Sequence, residues 1–167
     1  MSSTHGQISP LRPVTRHITG HNDAGRAVIH SSTPAEWESH EAAGMAFNVV
    51  YTSQFPADLN EEADVKKHEQ LTAEPMGLVN PGGTSLDYGV VLEGEVEMIL
   101  EDSEPVILKR GDVAVQRATM HGWRNPSETE WTRMLFVLQD CQKLAVNGKQ
   151  LGEDLGPVAG VLKPSGN

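Results

Sequence analysis

His121 and Asp87 are the residues whose types and settings suit chemistry. His121 lies in HGWRN, with Trp123 and Asn125 two and four residues further on, so in a strand the three share a face. Asp87 is a charged residue inside the strand pattern LDYGVV. A carboxylate buried there is costly unless it is paired or hydrogen-bonded, so it either faces solvent at the strand end or does work inside. An imidazole changes charge near neutral pH, and a neighbouring carboxylate fixes its tautomer, so the two together suit general acid–base catalysis. The same two groups can also begin a metal site, but a catalytic Zn²⁺ or Fe²⁺ centre wants about three protein ligands and an open position. The plain alternatives are a structural histidine and a buried ion pair without chemistry.

The neighbouring runs supply a lining for a small organic ligand. Phe47 and Tyr51 keep the same alternation in their run, as do Met134, Phe136 and Leu138 in theirs. An apolar, aromatic-lined space with a few polar groups is the usual make-up of a small-molecule site, and the same residues equally suit a barrel core. Arg117 is placed to hold a carboxylate or enolate oxygen, with a surface salt bridge as its other reading; Arg124 alternates against His121 and faces outward. His68 sits in the acidic stretch DVKKHEQL, a poor place for a fixed ligand, and His17, His21 and His30 show no ligand spacing. No nucleophile elbow, P-loop, GxGxxG or CxxC occurs, so nucleotide cofactors have no visible site.

Short strands must position these groups. From residue 76 onward MGLVN, DYGVVLEGEVEMILED, PVILKRGDVAVQR, HGWRN and TRMLFVLQD are β-rich runs. They are punctuated at Glu93-Gly94, Asp102-Ser103, Arg110-Gly111 and Pro126-Ser127. That spacing marks an antiparallel sandwich or barrel rather than a parallel α/β sheet. Upstream, RHITGHNDAGRAVIH reads as a hairpin turning on Asn22, Asp23 and Gly25. Thr33, Pro34 and Glu36 carry a helix-start signal, although the run to residue 44 is short enough to be a structured loop. MAFNVVYTS reads as a strand, and the acidic connection 56–75 as a cover or a turn of helix. The expected organisation is a mobile arm over 1–15, one β-barrel domain over 16–147 and an extended tail over 148–167.

Composition narrows the partners. The 167 residues suit one domain, and 13 Lys plus Arg against 23 Asp plus Glu leave a formal net charge of -10. A field of that sign repels phosphate backbones and anionic membrane surfaces. The longest apolar runs fall far short of the ~18 residues of a membrane helix. The N-terminal segment has no apolar core of a secretory signal, and Cys141 is the single cysteine, so a reducing cytoplasmic setting is expected.

Two segments resemble the signature of the cupin superfamily, a small jelly-roll β-barrel. GDVAVQRATMHGWRN resembles the second cupin motif, with Gly111, His121 and Asn125 in the marked places and Arg117 where the family keeps Pro. LDYGVVLEG resembles the end of the first motif, with Asp87 at the carboxylate position and Gly94 six intervening residues later. The His-x-His pair that the family places just upstream falls on Asn80 and Gly82, or on Pro81 and Gly83, none of which is His. The variant GDVxVQRxTxHxWxN, the hairpin and FNVVYTSQFPADLN look like a subgroup of single-domain cupins, many of them fungal.

The resemblance implies an all-β, single jelly-roll barrel with a short helical element and extended arms. It implies an inward-facing His121 and a homodimer paired through sheet edges, which also removes exposed strand edges. It also points to the cupin-domain oxidoreductases that accompany fungal polyketide synthases. With two motif ligands in place, acid–base chemistry on a hydrophobic, carbonyl-bearing polyketide intermediate is the first expectation: dehydration, isomerisation or aromatising cyclisation, without a cofactor. Asp87 and His121 would be catalytic, and Trp123, Tyr51, Phe47, Arg117, Asn125, Met134 and Phe136 would bind substrate. A metal-dependent dioxygenase, oxidoreductase or decarboxylase holding Fe, Zn or Mn on His121 and Asp87 is the alternative, and a non-catalytic metabolite-binding protein is the third.

Overall fold

The computed structural model describes residues 7–72 and 85–150, and the chain divides into two compact units, Met1–Pro75 and Met76–Asn167. The run MGLVN, the first six residues of the arm and the tail beyond residue 150 lie outside the described residues. The fold is all-β and cupin-like, with one helix of ten residues among the described residues.

In the first unit, β1 (Thr15–His21) and β2 (Ala27–Pro34) form the expected antiparallel hairpin. The Asn22 side chain accepts hydrogen bonds from the amides of Ala24 and Arg26, which closes its turn. The helix-start signal at Thr33 is overridden: β2 runs through Pro34, because Thr33 pairs with Arg16 of β1. After β2 come β3 (Glu38–His40), a single 3₁₀ turn (Glu41–Ala43) and β4 (Met45–Phe47). The strand expected over MAFNVVYTS therefore ends at Phe47, where its pairing with Glu38 of β3 ends. The acidic connection does contain a helix, α1 (Ala63–Thr72), entered through a 3₁₀ turn (Asn60–Glu62).

The second unit matches the sequence pattern closely. β5 (Ser85–Glu93), β6 (Glu95–Leu100), β7 (Val106–Lys109), β8 (Val113–Arg117), β9 (His121–Arg124) and β10 (Arg133–Asp140) are all antiparallel to their neighbours. A short hairpin, β11 (Ala145–Val146) and β12 (Lys149–Gln150), comes last. The strands make two three-stranded sheets, in orders β10-β5-β8 and β7-β6-β9.

The chain passes from one sheet to the other at Gly94. Its φ of +73° favours glycine, and a Cβ there would lie 2.7 Å from the Trp131 carbonyl oxygen and 2.8 Å from Thr132 Oγ1. The core between the sheets is small: Val91 and Ala114 from one, Val96 and Leu108 from the other, with Met98, Trp123 and Met134 packed against them. These are inward positions of the strand alternation, so the two sheets pack face to face around them. The outward face of β10-β5-β8 leaves Tyr88, Leu92, Val113, Val115, Leu135 and Val137 exposed. Among the described residues, no helix is long and apolar enough to cross a membrane.

Candidate functional site

Strand register decides which candidates share a face. Asp87 on β5 stands opposite Gln116 on β8 and Leu138 on β10. Ser85, Asp87, Gly89 and Val91 alternate onto the inner face, joined by Ala114 and Gln116 and by Met134, Phe136 and Leu138. In the second sheet His121 stands opposite Leu100 and Trp123 opposite Met98.

The Trp123 and Phe136 rings meet edge to face with centroids 5.4 Å apart, and this contact joins the two sheets. Phe136 reaches that position over Gly89, where a Cβ would lie 2.9 Å from its ring. His121 extends the chain of rings, edge-on to Trp123 at 5.9 Å. Towards the Ser85 end, Phe136 and Leu138 remain open to solvent while Ser85 and Gln116 are buried. The inner face thus has an apolar, accessible edge and a buried polar floor.

His121 is fixed by its own strand entry. Its Nδ1 lies 2.8 Å from the Thr119 carbonyl oxygen. A carbonyl only accepts, so Nδ1 is the donor in this contact and Nε2 is the ring nitrogen left open. Nε2 has no hydrogen-bond partner among the described residues, and the side chain is exposed. An open second ring nitrogen is what a general base would use. The carboxylate partner expected for His121 is not there, since no hydrogen bond or ion pair joins Asp87 to His121 among the described residues. The two residues stand on different sheets, and the Thr119 carbonyl does the orienting instead.

Asp87 is the second candidate. Its Oδ1 is buried without a hydrogen-bond partner, and so are both amide atoms of Gln116, a residue only 4% exposed. Gln116 was not among the expected site residues, although VAVQR carried a signal: a polar residue in register with the inward Ala114.

Several expected residues are placed elsewhere. Arg117 shares the outward face with Val113 and Val115, because the inward place is taken by Gln116, so it does not point at the inner face. Asn125 lies just past β9, where its Nδ2 donates to the Glu130 carbonyl and its Oδ1 accepts from the Ser127 amide, so its side chain shapes a loop. That loop borders a surface depression of about 290 Å³ with Gly94, Trp131 and Thr132, which includes neither His121 nor Asp87. Met134 packs on the core. Arg124 faces outward as expected and pairs with Glu97.

Tyr51 and Phe47 belong to the first unit, each with partners there. Phe47 meets His40 edge-on at 5.5 Å. Tyr51 donates to Asp64 Oδ2 at 2.6 Å and lies against the His68 ring at 4.7 Å. His68, far from being loosely held, is 3% exposed on α1. Its Nδ1 accepts from the Thr52 amide at 3.1 Å, and its Nε2 is 2.6 Å from Arg16 Nη1. Arg16 also donates to the Val50 carbonyl and to Thr33 Oγ1, so this knot ties helix, loop and hairpin together. Burial first, then the Arg16 charge, hold the His68 imidazole below its ordinary value. Burial, then the Asp64 hydrogen bond, push the Tyr51 hydroxyl up to about 12. Apolar spacing gave no hint of this cluster, because its members are polar residues distant in sequence.

The comparisons with known proteins agree with this fold. The cupin-domain-containing oxidoreductase fogC of Aspergillus ruber is 37% identical over 91% of this chain and 85% of its own length. The chain belongs to the fungal cupin-domain family. Phomopsin biosynthesis cluster protein D of Diaporthe leptostromiformis is 36% identical over the whole of both chains. Oryzines biosynthesis cluster protein J of Aspergillus oryzae is 37% identical over 87% of this cupin and 93% of its own length. No protein-family model matches the chain.

Membership in the cupin family implies a metal, and the donor set of the described residues does not by itself make up a site for one. Among the described residues, no three His, Cys, Asp or Glu side chains converge. The places of the family's His-x-His pair lie outside the described residues and hold Asn80 and Gly82, or Pro81 and Gly83.

Proposed function

We propose that this cupin is a small-molecule enzyme of fungal secondary metabolism. It performs acid–base chemistry, without a bound cofactor, on a hydrophobic polyketide-type substrate that bears a carbonyl group. The observation that carries the reading is the state of His121: Nδ1–H held by the Thr119 carbonyl, Nε2 free, and the ring edge-on to Trp123. Nε2 removes the proton α to the carbonyl, and Asp87 exchanges the second proton at another atom of the substrate. Trp123 and Phe136 hold the apolar body. Dehydration, double-bond isomerisation and aromatising cyclisation all begin with that α-proton step.

The test uses the β-hydroxy derivative of benzylacetone, which loses water to give the conjugated enone benzalacetone. The α-proton and the hydroxyl leave together as water, so no oxidant enters. Wild type should form the enone, and His121→Ala or Asp87→Asn should slow it by about 10²-fold or more. Undiminished enone formation in the double variant would overturn the assignment. Tight binding without turnover would favour a metabolite-binding protein instead.

The relatives' name favours a second reading, oxidoreduction. That reading requires a further ligand beyond His121 and Asp87, and near-stoichiometric iron, zinc or manganese lost in His121→Ala would establish it. We further propose a homodimer, because the exposed apolar face around Val115 and Val137 is what a second copy would cover.

A further inference from the structure

The inner face carries three polar atoms with nothing to bond: Asp87 Oδ1, Gln116 Nε2 and Gln116 Oε1. They belong to residues directly opposite one another on β5 and β8. Side chains so placed have Cβ atoms about 4.5–5.5 Å apart, close enough to serve one small group between them. Yet the amide and the carboxylate do not bond each other. Buried polar groups in folded proteins nearly always find partners, so adjacent orphans on one face are an exception that calls for a cause.

We infer that Gln116 and Asp87 together form the polar recognition site of the substrate, and that this site takes a hydroxyl β to a carbonyl on an apolar body. Gln116 Nε2–H, the one donor among the three orphaned atoms, donates to the carbonyl oxygen. The hydroxyl donates to Asp87 Oδ1 or Gln116 Oε1, which only accept. The apolar body rests on Phe136, whose exposed ring is two residues from Leu138, the β10 partner of Asp87. A substrate with the carbonyl alone would leave the two acceptors unsatisfied, and one with the hydroxyl alone would strand the amide. Gln116 is thus a specificity-determining residue, and the proton chemistry stays with His121 and Asp87. The inference rests on the inner face being the substrate site, as proposed above, but it concerns binding and not turnover.

The test compares benzylacetone with its β-hydroxy derivative by titration calorimetry, on wild type and on Gln116→Met, which keeps the side-chain length and removes both polar atoms. Wild type should bind the hydroxy ketone about tenfold tighter than the plain ketone. Gln116→Met should bind the two within about twofold of each other, through lost affinity for the hydroxy ketone. Its thermal midpoint should stay level or rise, because unsatisfied buried groups are gone. Equal binding of the two ketones by wild type would overturn the inference and leave the proton-transfer reading intact. A preference that survives in Gln116→Met would overturn it as well. Failure of wild type to bind either ketone would overturn both readings. Because the wild-type comparison alone can refute the inference, a poorly folded variant would not shelter it.

Discussion

The Phe136 ring lies directly over Gly89, so close that one added carbon at Gly89 would stand 2.9 Å from it. The glycine is what lets Phe136 reach across to Trp123 and join the two sheets. Gly89→Ala should therefore displace the ring, cost about 1–3 kcal/mol in urea unfolding, and change the near-ultraviolet dichroism of the indole. A variant as stable as wild type with an unchanged tryptophan signal would mean that the contact is not needed.

His68 makes the first unit sensitive to acid. Its folded pKa lies below that of the unfolded chain, for which the ordinary value is 6.5. The unfolded state therefore binds more protons as pH falls, and the stability that neutral His68 contributes is intact above 6.5 and lost below it, down through the folded pKa. The midpoint of thermal unfolding should drop through that window in wild type and change less in His68→Gln. Identical pH profiles would remove His68 as the cause.

Tyr51 should show the opposite limb. With its hydroxyl pushed from 10.0 up to about 12, its contribution is complete below 10.0 and disappears as pH climbs through about 12. The difference in tyrosinate absorbance between wild type and Tyr51→Phe should rise near the upper value. A rise centred at 10.0 would show that Asp64 does not hold the phenol as the geometry indicates.

The outward face of β10-β5-β8 is also testable. Val115 and Val137 are both more than half exposed. Light scattering should give a dimer for wild type and a monomer for Val115→Glu combined with Val137→Glu. A monomeric wild type, or a dimer that survives both charges, would place the partner elsewhere.

Much of the second unit could be read from the sequence, because period-two alternation and the turns at Gly94 and Gly111 each set strand ends independently of tertiary context. The same alternation placed Trp123 beside His121 and sent Arg124 outward. It was not carried through β8, where Gln116 takes the inward place in register with Ala114 and Arg117 faces outward. The local signal at Thr33 pointed to a helix, but pairing with Arg16 is a long-range event that no cap residue reports. The His68 knot was hidden for the same reason: Arg16, Tyr51, Asp64 and His68 meet only after the hairpin and α1 have folded.

Proton transfer by His121 is the central claim, and deuterium exchange tests it without knowledge of the natural substrate. Benzylacetone would be incubated with the protein in deuterium oxide and its α-positions followed by nuclear magnetic resonance. Wild type should accelerate exchange over buffer, and His121→Ala, an exposed position where folding is not at stake, should abolish the acceleration by about 10²-fold or more. Exchange in His121→Ala as fast as in wild type would contradict the account.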